Sequence, residues 1–145
     1  MALTEKSVLV EYSAAQMYAL VADVPRYPEF LPWCGGAQVL SQSDAVVHAA
    51  ISIDFRGIRQ KFSTENRLRE PELIEMKLLD GPFRELDGSW RFKPLGEQAC
   101  RIDFRLHYEF SSKILEKLVG PVFHYIANSF VDAFVRRAAQ LYGPR

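Results

Sequence analysis

ACRIDFRLHYEF, residues 99–110, alternates without a break. Its even positions are Cys100, Ile102, Phe104, Leu106, Tyr108 and Phe110; its odd ones are Arg101, Asp103, Arg105, His107 and Glu109. A period of two puts the first set on one face of a β-strand and the second on the other. One face is dry and one wet, the pattern of an antiparallel sheet covered on a single side; parallel strands, covered on both, lose the alternation. The cover follows at once. Between Ser112 and Tyr142, Val119, Val122, Phe123, Ile126, Phe130, Phe134, Ala138 and Leu141 recur at helical spacing, widened by Val131, Val135 and Tyr142. Lys113, Lys117, His124, Asn128, Asp132, Arg136 and Gln140 mark the opposite side. Such a helix spans about 46 Å, longer than a small sheet is wide. Pro121 has no N–H to give the Lys117 carbonyl, so a kink or restart is expected there.

Further strands are expected upstream. Residues 37–43 lead through a Ser43-Asp44 turn to a strand with Val47, Ala49, Ile51, Ile53 and Phe55 on one face. After Arg56-Gly57, Phe62, Thr64 and Leu68 share a side. Past a turn at Pro71, Ile74, Met76 and Leu78 align. Past Asp80-Gly81-Pro82, Leu86, Gly88, Trp90 and Phe92 do the same. Gly88 inside a strand predicts a bulge or a close backbone approach. Residues 4–12 read as the first strand. Ser13 then caps a short helix, with Gln16 completing a capping box and Tyr12 and Met17 at the staple positions; Pro25 stops the helix after about Val24. The class is α+β: one strand, a short helix, six strands, a long helix, in a single domain over residues 1–145.

Composition narrows the function. The chain of 145 residues is 48% hydrophobic and 25% charged, with 18 basic against 18 acidic side chains. A protein held on nucleic acid mainly by phosphate contacts usually carries a basic excess, so DNA is not an expected partner. Cys34 and Cys100 are the only cysteines, and no His/Cys spacing suits a metal. Residues 1–12 lack a secretory pattern and no run approaches 18 apolar residues, so a reducing cytoplasm is the expected setting. No nucleophile, phosphate-loop or paired-carboxylate motif occurs, and His48, His107 and His124 are scattered; no catalytic residue is assigned.

PRYPEFLPWC, residues 25–34, packs three prolines and three aromatics into ten positions. Each proline biases the residue before it toward extended backbone, here Val24, Tyr27 and Leu31, leaving room for one helical turn at most. Rings on so irregular a segment must pack against something.

YPEFLPWC after the first helix and DGPFRELDGSWRF (residues 80–92) before the last strand, taken with the element order, resemble the family of bacterial RatA proteins and coenzyme Q-binding chaperones in the START-like, or polyketide cyclase/dehydrase-like (SRPBCC), superfamily. The resemblance covers nearly the whole chain. It implies a helix-grip fold: a curved seven-stranded antiparallel sheet around the long C-terminal helix, with a cavity between them and the proline-rich segment as a stiff rim at its mouth. It implies ligand-binding roles for Tyr27, Phe30, Leu31, Trp33, Phe62, Met76, Trp90, Phe104, Phe123, Ile126 and Phe130. The Pro32-Trp33-Cys34 form is similar to that of many coenzyme Q-binding members. The first functional reading is thus a non-enzymatic carrier of a ubiquinone-like lipid supporting respiration, cytoplasmic or peripheral at the inner membrane, with no cofactor beyond that apolar ligand. The alternative is a RatA-type toxin that binds the large ribosomal subunit and blocks subunit association through basic side chains such as Arg56, Arg59 and Lys61. An aromatase or cyclase role follows from the superfamily name alone.

Overall fold

The computed structural model describes Ala2–Arg145. Seven strands form one antiparallel sheet: β1 (Ala2–Val10), β2 (Cys34–Ser43), β3 (Val46–Phe55), β4 (Ile58–Arg69), β5 (Leu73–Asp80), β6 (Phe83–Pro94) and β7 (Cys100–Phe110). Their order is β1-β7-β6-β5-β4-β3-β2, so β1 and β2 are the edges. Between β1 and β2 lie helix α1 (Ala14–Ala22) and a 3-10 helix (Val24–Glu29); helix α2 (Lys113–Tyr142) ends the chain. The fold is the START-like helix-grip. β7 carries the alternation read from its sequence: all six even residues are buried.

α2 lies across the inner face, against β7, β1 and α1 more than against β3 and β4. It buries Val119, Val122, Phe123, Ile126, Val131 and Phe134, with Ala127, Ala133 and Ala138 between them. Six large side chains at about 1.5–3 kcal/mol each contribute about 9–18 kcal/mol as an upper estimate, comparable with the whole net stability of a domain. α2 runs as one helix through Gly120-Pro121, with no restart, and Leu141 lies half exposed beyond the sheet instead of continuing the buried stripe. By length and composition α2 could cross a membrane, but its apolar side is the core of this fold.

The sheet must bend to wrap α2. Register shifts at Cys34/Gly36 and Val39/Ser41 in β2, at Ser63/Thr64 and at Phe83/Glu85 supply part of that bend. Gly88 supplies another part without a bulge. It pairs in register with Met76 and Leu106, and a Cβ there would lie 2.6 Å from the Arg105 carbonyl oxygen. Close backbone approach, not a bulge, is the reason for that glycine.

α1 is capped as its sequence predicts. Gln16 N–H donates to Ser13 Oγ (3.0 Å) and Ser13 N–H to Gln16 Oε1 (2.9 Å). The helix ends at Ala22, and the proline-rich segment is a 3-10 helix where extended backbone at Val24 and Tyr27 was expected. Pro25 fits its first turn, where the missing N–H costs no bond. In a 3-10 helix residues three apart eclipse, so Val24 and Tyr27 both turn inward. Tyr27 hydroxyl donates to the Val21 carbonyl, and Arg137 of α2 reaches Glu29 at 2.7 Å. The segment is thereby fixed to α1 and α2.

Candidate functional site

Where α2 stands off β3–β5, the interior is hollow. The cavity measures about 60 Å³ and is lined by Val24, Tyr27, Trp33, Ile51, Phe62, Thr64, Asn66, Met76, Leu86, Phe104, Leu106, Phe123, Ile126, Ala127 and Phe130. Ile51, Phe62, Met76 and Phe130 are only half buried, which places the opening between β3–β5 and the helix. An apolar cavity of about 150 Å³ is enough for one benzene ring. A ring-sized guest therefore enters only if side chains at the opening move. Met76 is flexible, and Phe62 has solvent on one side.

Eight of the eleven residues named from the sequence come together here: Tyr27, Trp33, Phe62, Met76, Phe104, Phe123, Ile126 and Phe130. Three do not reach the cavity. Phe30 packs on Phe134 at 5.1 Å with the Arg137 guanidinium over its ring. Leu31 is fully buried beneath the segment. Trp90 stacks on Phe92, and Phe104 and Phe130 pack against it at 4.7 and 5.6 Å. Its Nε1–H is buried without a partner among the described residues. The expected rim is also different in kind. Trp33, 2% exposed, and buried Tyr27 form an inner wall rather than the mouth. The mouth is built from strand and helix residues.

Thr64 and Asn66 were not among the candidates, yet both face the cavity. They are the polar exceptions in an apolar wall, 5% and 9% exposed, with Thr64 Oγ1 donating to Asn66 Oδ1 at 2.8 Å. A signal existed: Asn66 falls in phase with Phe62, Thr64 and Leu68, the inward set of β4. Val24, Ile51, Leu86, Leu106 and Ala127 complete the wall and carry no distinguishing sequence mark.

Apart from Tyr27, the titratable groups lie outside the cavity wall. Burial pushes the Cys34 thiol up, partly offset by its contact with the Gly36 carbonyl, and pushes Cys100 up to about 11. Neither is a poised nucleophile. Burial also raises Tyr27 well above the usual phenol range. His48 contacts Glu65 (3.2 Å) and His107 contacts Asp87 (3.1 Å), both on the outer face. The hydrogen bond from His48 and then that from Arg67 hold the Glu65 carboxyl below its ordinary value. Among the described residues no cluster of His, Cys, Asp and Glu could hold a metal.

The outer face is basic in two places. Arg91, Lys93, Arg101 and Arg105 meet across β6 and β7, where Arg91 lies opposite Asp103 and Lys93 opposite Arg101. A shallow hollow of about 490 Å³ there also borders Glu5 and Lys6. Arg56, Arg59 and Lys61 lie at the β3–β4 turn. Arg59 pairs with Asp54 (3.6 Å), and Arg56 lies over the rings of Phe55 and Tyr125.

Comparison with known proteins agrees with this architecture. A family described as polyketide cyclase / dehydrase and lipid transport matches residues 10–135. The ribosome association toxin RatA of Vibrio cholerae is 49% identical over 138 residues, covering 95% of this chain and 96% of that protein. The mitochondrial coenzyme Q-binding protein COQ10 homolog B of Xenopus laevis is 31% identical, covering 95% of this chain and 58% of that protein. In structure, the ZhuI aromatase/cyclase of Streptomyces sp. R1128 superposes with a TM-score of 0.79 over 99% of each chain at 16% identity, a likeness of fold. The chain belongs to the polyketide cyclase/dehydrase and lipid transport family, in the branch shared by the RatA and coenzyme Q-binding proteins.

Proposed function

We propose that this protein acts by binding, and that its main target is the large ribosomal subunit, whose association with the small subunit it blocks. Identity of 49% across nearly the full length to a protein named as a ribosome association toxin carries this reading, ahead of the quinone role that the Pro32-Trp33-Cys34 form suggested. The work is then cytoplasmic. The outer face of β6 and β7 is the surface assigned to it. Arg91, Lys93 and Arg105 are exposed there and form no ion pair among the described residues, so they are free for phosphates. Arg59, tied to Asp54, and Arg56, laid over two rings, are less available than the sequence implied. The test is co-sedimentation with purified large subunits. The wild type pellets with them and releases as salt rises, as phosphate contacts do. Reversal of Arg91, Lys93 and Arg105 to glutamate abolishes pelleting. Subunits that associate normally in excess protein overturn the reading.

The apolar wall of the cavity, with the likeness to a coenzyme Q-binding protein, supports a second reading, as a carrier of an apolar, ubiquinone-like lipid that enters once side chains at the opening move aside. Ile114, Leu118 and Tyr125 are exposed on one side of α2, beside Lys113 and Lys117. That combination suits a peripheral contact with an anionic inner-membrane surface, where such a ligand would be collected. Mass spectrometry of an organic extract of the purified protein tests this. A stoichiometric quinone supports it; no extractable lipid, together with no uptake of short-chain quinone, refutes it.

A further inference from the structure

Thr64 and Asn66 are the least expected residues in the cavity. They stand two apart on β4, so both project from one face of the sheet, beneath α2. Their cross-strand partners are Ala49 and Leu78 for Thr64, and Val47 and Met76 for Asn66. None of these side chains offers a strong acceptor. The one hydrogen bond that either side chain makes among the described residues is the one between them.

The donor count decides what can sit beside them. A threonine hydroxyl has one donor hydrogen and an asparagine amide has two. Their mutual bond uses one of the three. Turning the amide over changes which hydrogen is used and not how many, so two donors face the cavity in either orientation. Buried donors left unpaired are costly, so an oxygen must meet them. With no guest, water does so; about 60 Å³ holds a few molecules. A guest that enters must either replace that water with its own acceptor or strand the donors.

We infer that Thr64 and Asn66 select for apolar ring compounds carrying a neutral acceptor oxygen, such as a quinone or aryl ketone, over hydrocarbons and over carboxylic acids. The charge of the wall sets the last limit. Among the described residues no lysine, arginine or histidine lines the cavity, so a carboxylate would be desolvated without a counter-ion. This inference rests on the second reading above, that the cavity takes an apolar guest.

The experiment uses three probes of similar size on the full chain: 1,4-naphthoquinone, naphthalene and 1-naphthoate, titrated while the amide NMR signals of the protein are followed. The wild type binds naphthoquinone at least tenfold more tightly than naphthalene, and naphthoate more weakly than either. The side-chain NH₂ signals of Asn66 keep a downfield, hydrogen-bonded position with naphthoquinone and move upfield with naphthalene, which strands them. Asn66→Leu, close in size, reduces the preference, since it leaves the Thr64 hydroxyl as one donor; the double variant Thr64→Val/Asn66→Leu removes it while naphthalene still binds. Should that variant not fold, the Asn66 signals of the wild type answer the same question. Equal affinity for naphthoquinone and naphthalene, or a preference that survives in the double variant Thr64→Val/Asn66→Leu, overturns the role of the polar pair and leaves the cavity as a ligand site. If no probe moves a signal from the cavity wall, the ligand reading falls, and this inference with it.

Discussion

Gly88→Ala is a one-methyl test of what bends the sheet around its helix. Gly88 has an ordinary strand conformation, so alanine meets no backbone objection. The added Cβ meets the Arg105 carbonyl oxygen at 2.6 Å, Leu106 Cδ1 at 3.0 Å and Met76 Cε at 3.1 Å. The two side-chain atoms can yield, but the carbonyl is part of the β6–β7 ladder and cannot move without opening it. Overpacking of this kind costs about 1–3 kcal/mol. For a chain of this size that lowers Tm by roughly 3–10 °C. Gly57→Ala is the control. Gly57 has φ +81 with no heavy atom of the described residues within 4 Å of its would-be Cβ, so alanine there carries only the left-handed penalty, about 1–2 kcal/mol, and leaves the sheet undisturbed. The two variants separate in a second measurement. Gly88→Ala displaces the methyl signals of Met76 and Leu106, both in the cavity wall, and Gly57→Ala does not. The reasoning is refuted if Gly88→Ala melts within a degree of the wild type with those signals unmoved.

Three further outcomes are expected. Phe130→Asp sets a half-buried carboxylate against the rings of Tyr27, Trp33, Trp90, Phe104 and Phe134, whose centres lie 5.1–6.3 Å from that of Phe130, so it lowers the midpoint of a urea titration as well as altering the cavity; Phe130→Leu costs about 1 kcal/mol and is the milder probe. Burial raises the folded pKa of Cys100 to about 11 from an unfolded value near 9, so its stabilising effect is complete below about pH 9 and is lost as pH rises toward 11; denaturation midpoints decline over that range and decline less steeply in Cys100→Ala. Ser13→Ala removes the side-chain half of the capping box and costs about 1 kcal/mol, read as a fall in Tm of roughly 3 °C; an unchanged Tm shows that packing of Met17 and Tyr18 holds α1 without its cap.

Two glycines show where reading the chain was sufficient. Gly81 takes φ +148 in the turn that Asp80-Gly81-Pro82 announced, with its N–H bonded to Asp80 Oδ1, and Gly57 takes φ +81 after Arg56. These are local demands, met within a few residues of the position that makes them. The proline-rich segment was legible only in part. Its prolines excluded a regular helix or central strand, but a 3-10 helix and an extended chain satisfy them equally. The choice fell to contacts with Val21 and with Arg137, which stands 108 residues from Glu29.

The sequence by itself determined the strands of an antiparallel sheet and the long helix that covers it, because alternation and helical periodicity are properties of neighbouring residues and report which face leaves water. It also held the inward phase of Asn66, one position among the apolar set of β4. Only the tertiary structure decided which inward rings pack against each other and which face a hollow: Trp90 and Phe104 are cross-strand neighbours with the same periodicity, yet Phe104 lines the cavity and Trp90 does not. Periodicity fixes direction, not distance. Whether α2 closes on β3–β5 or stands away from them depends on the summed curvature of seven strands, which no short window of sequence contains.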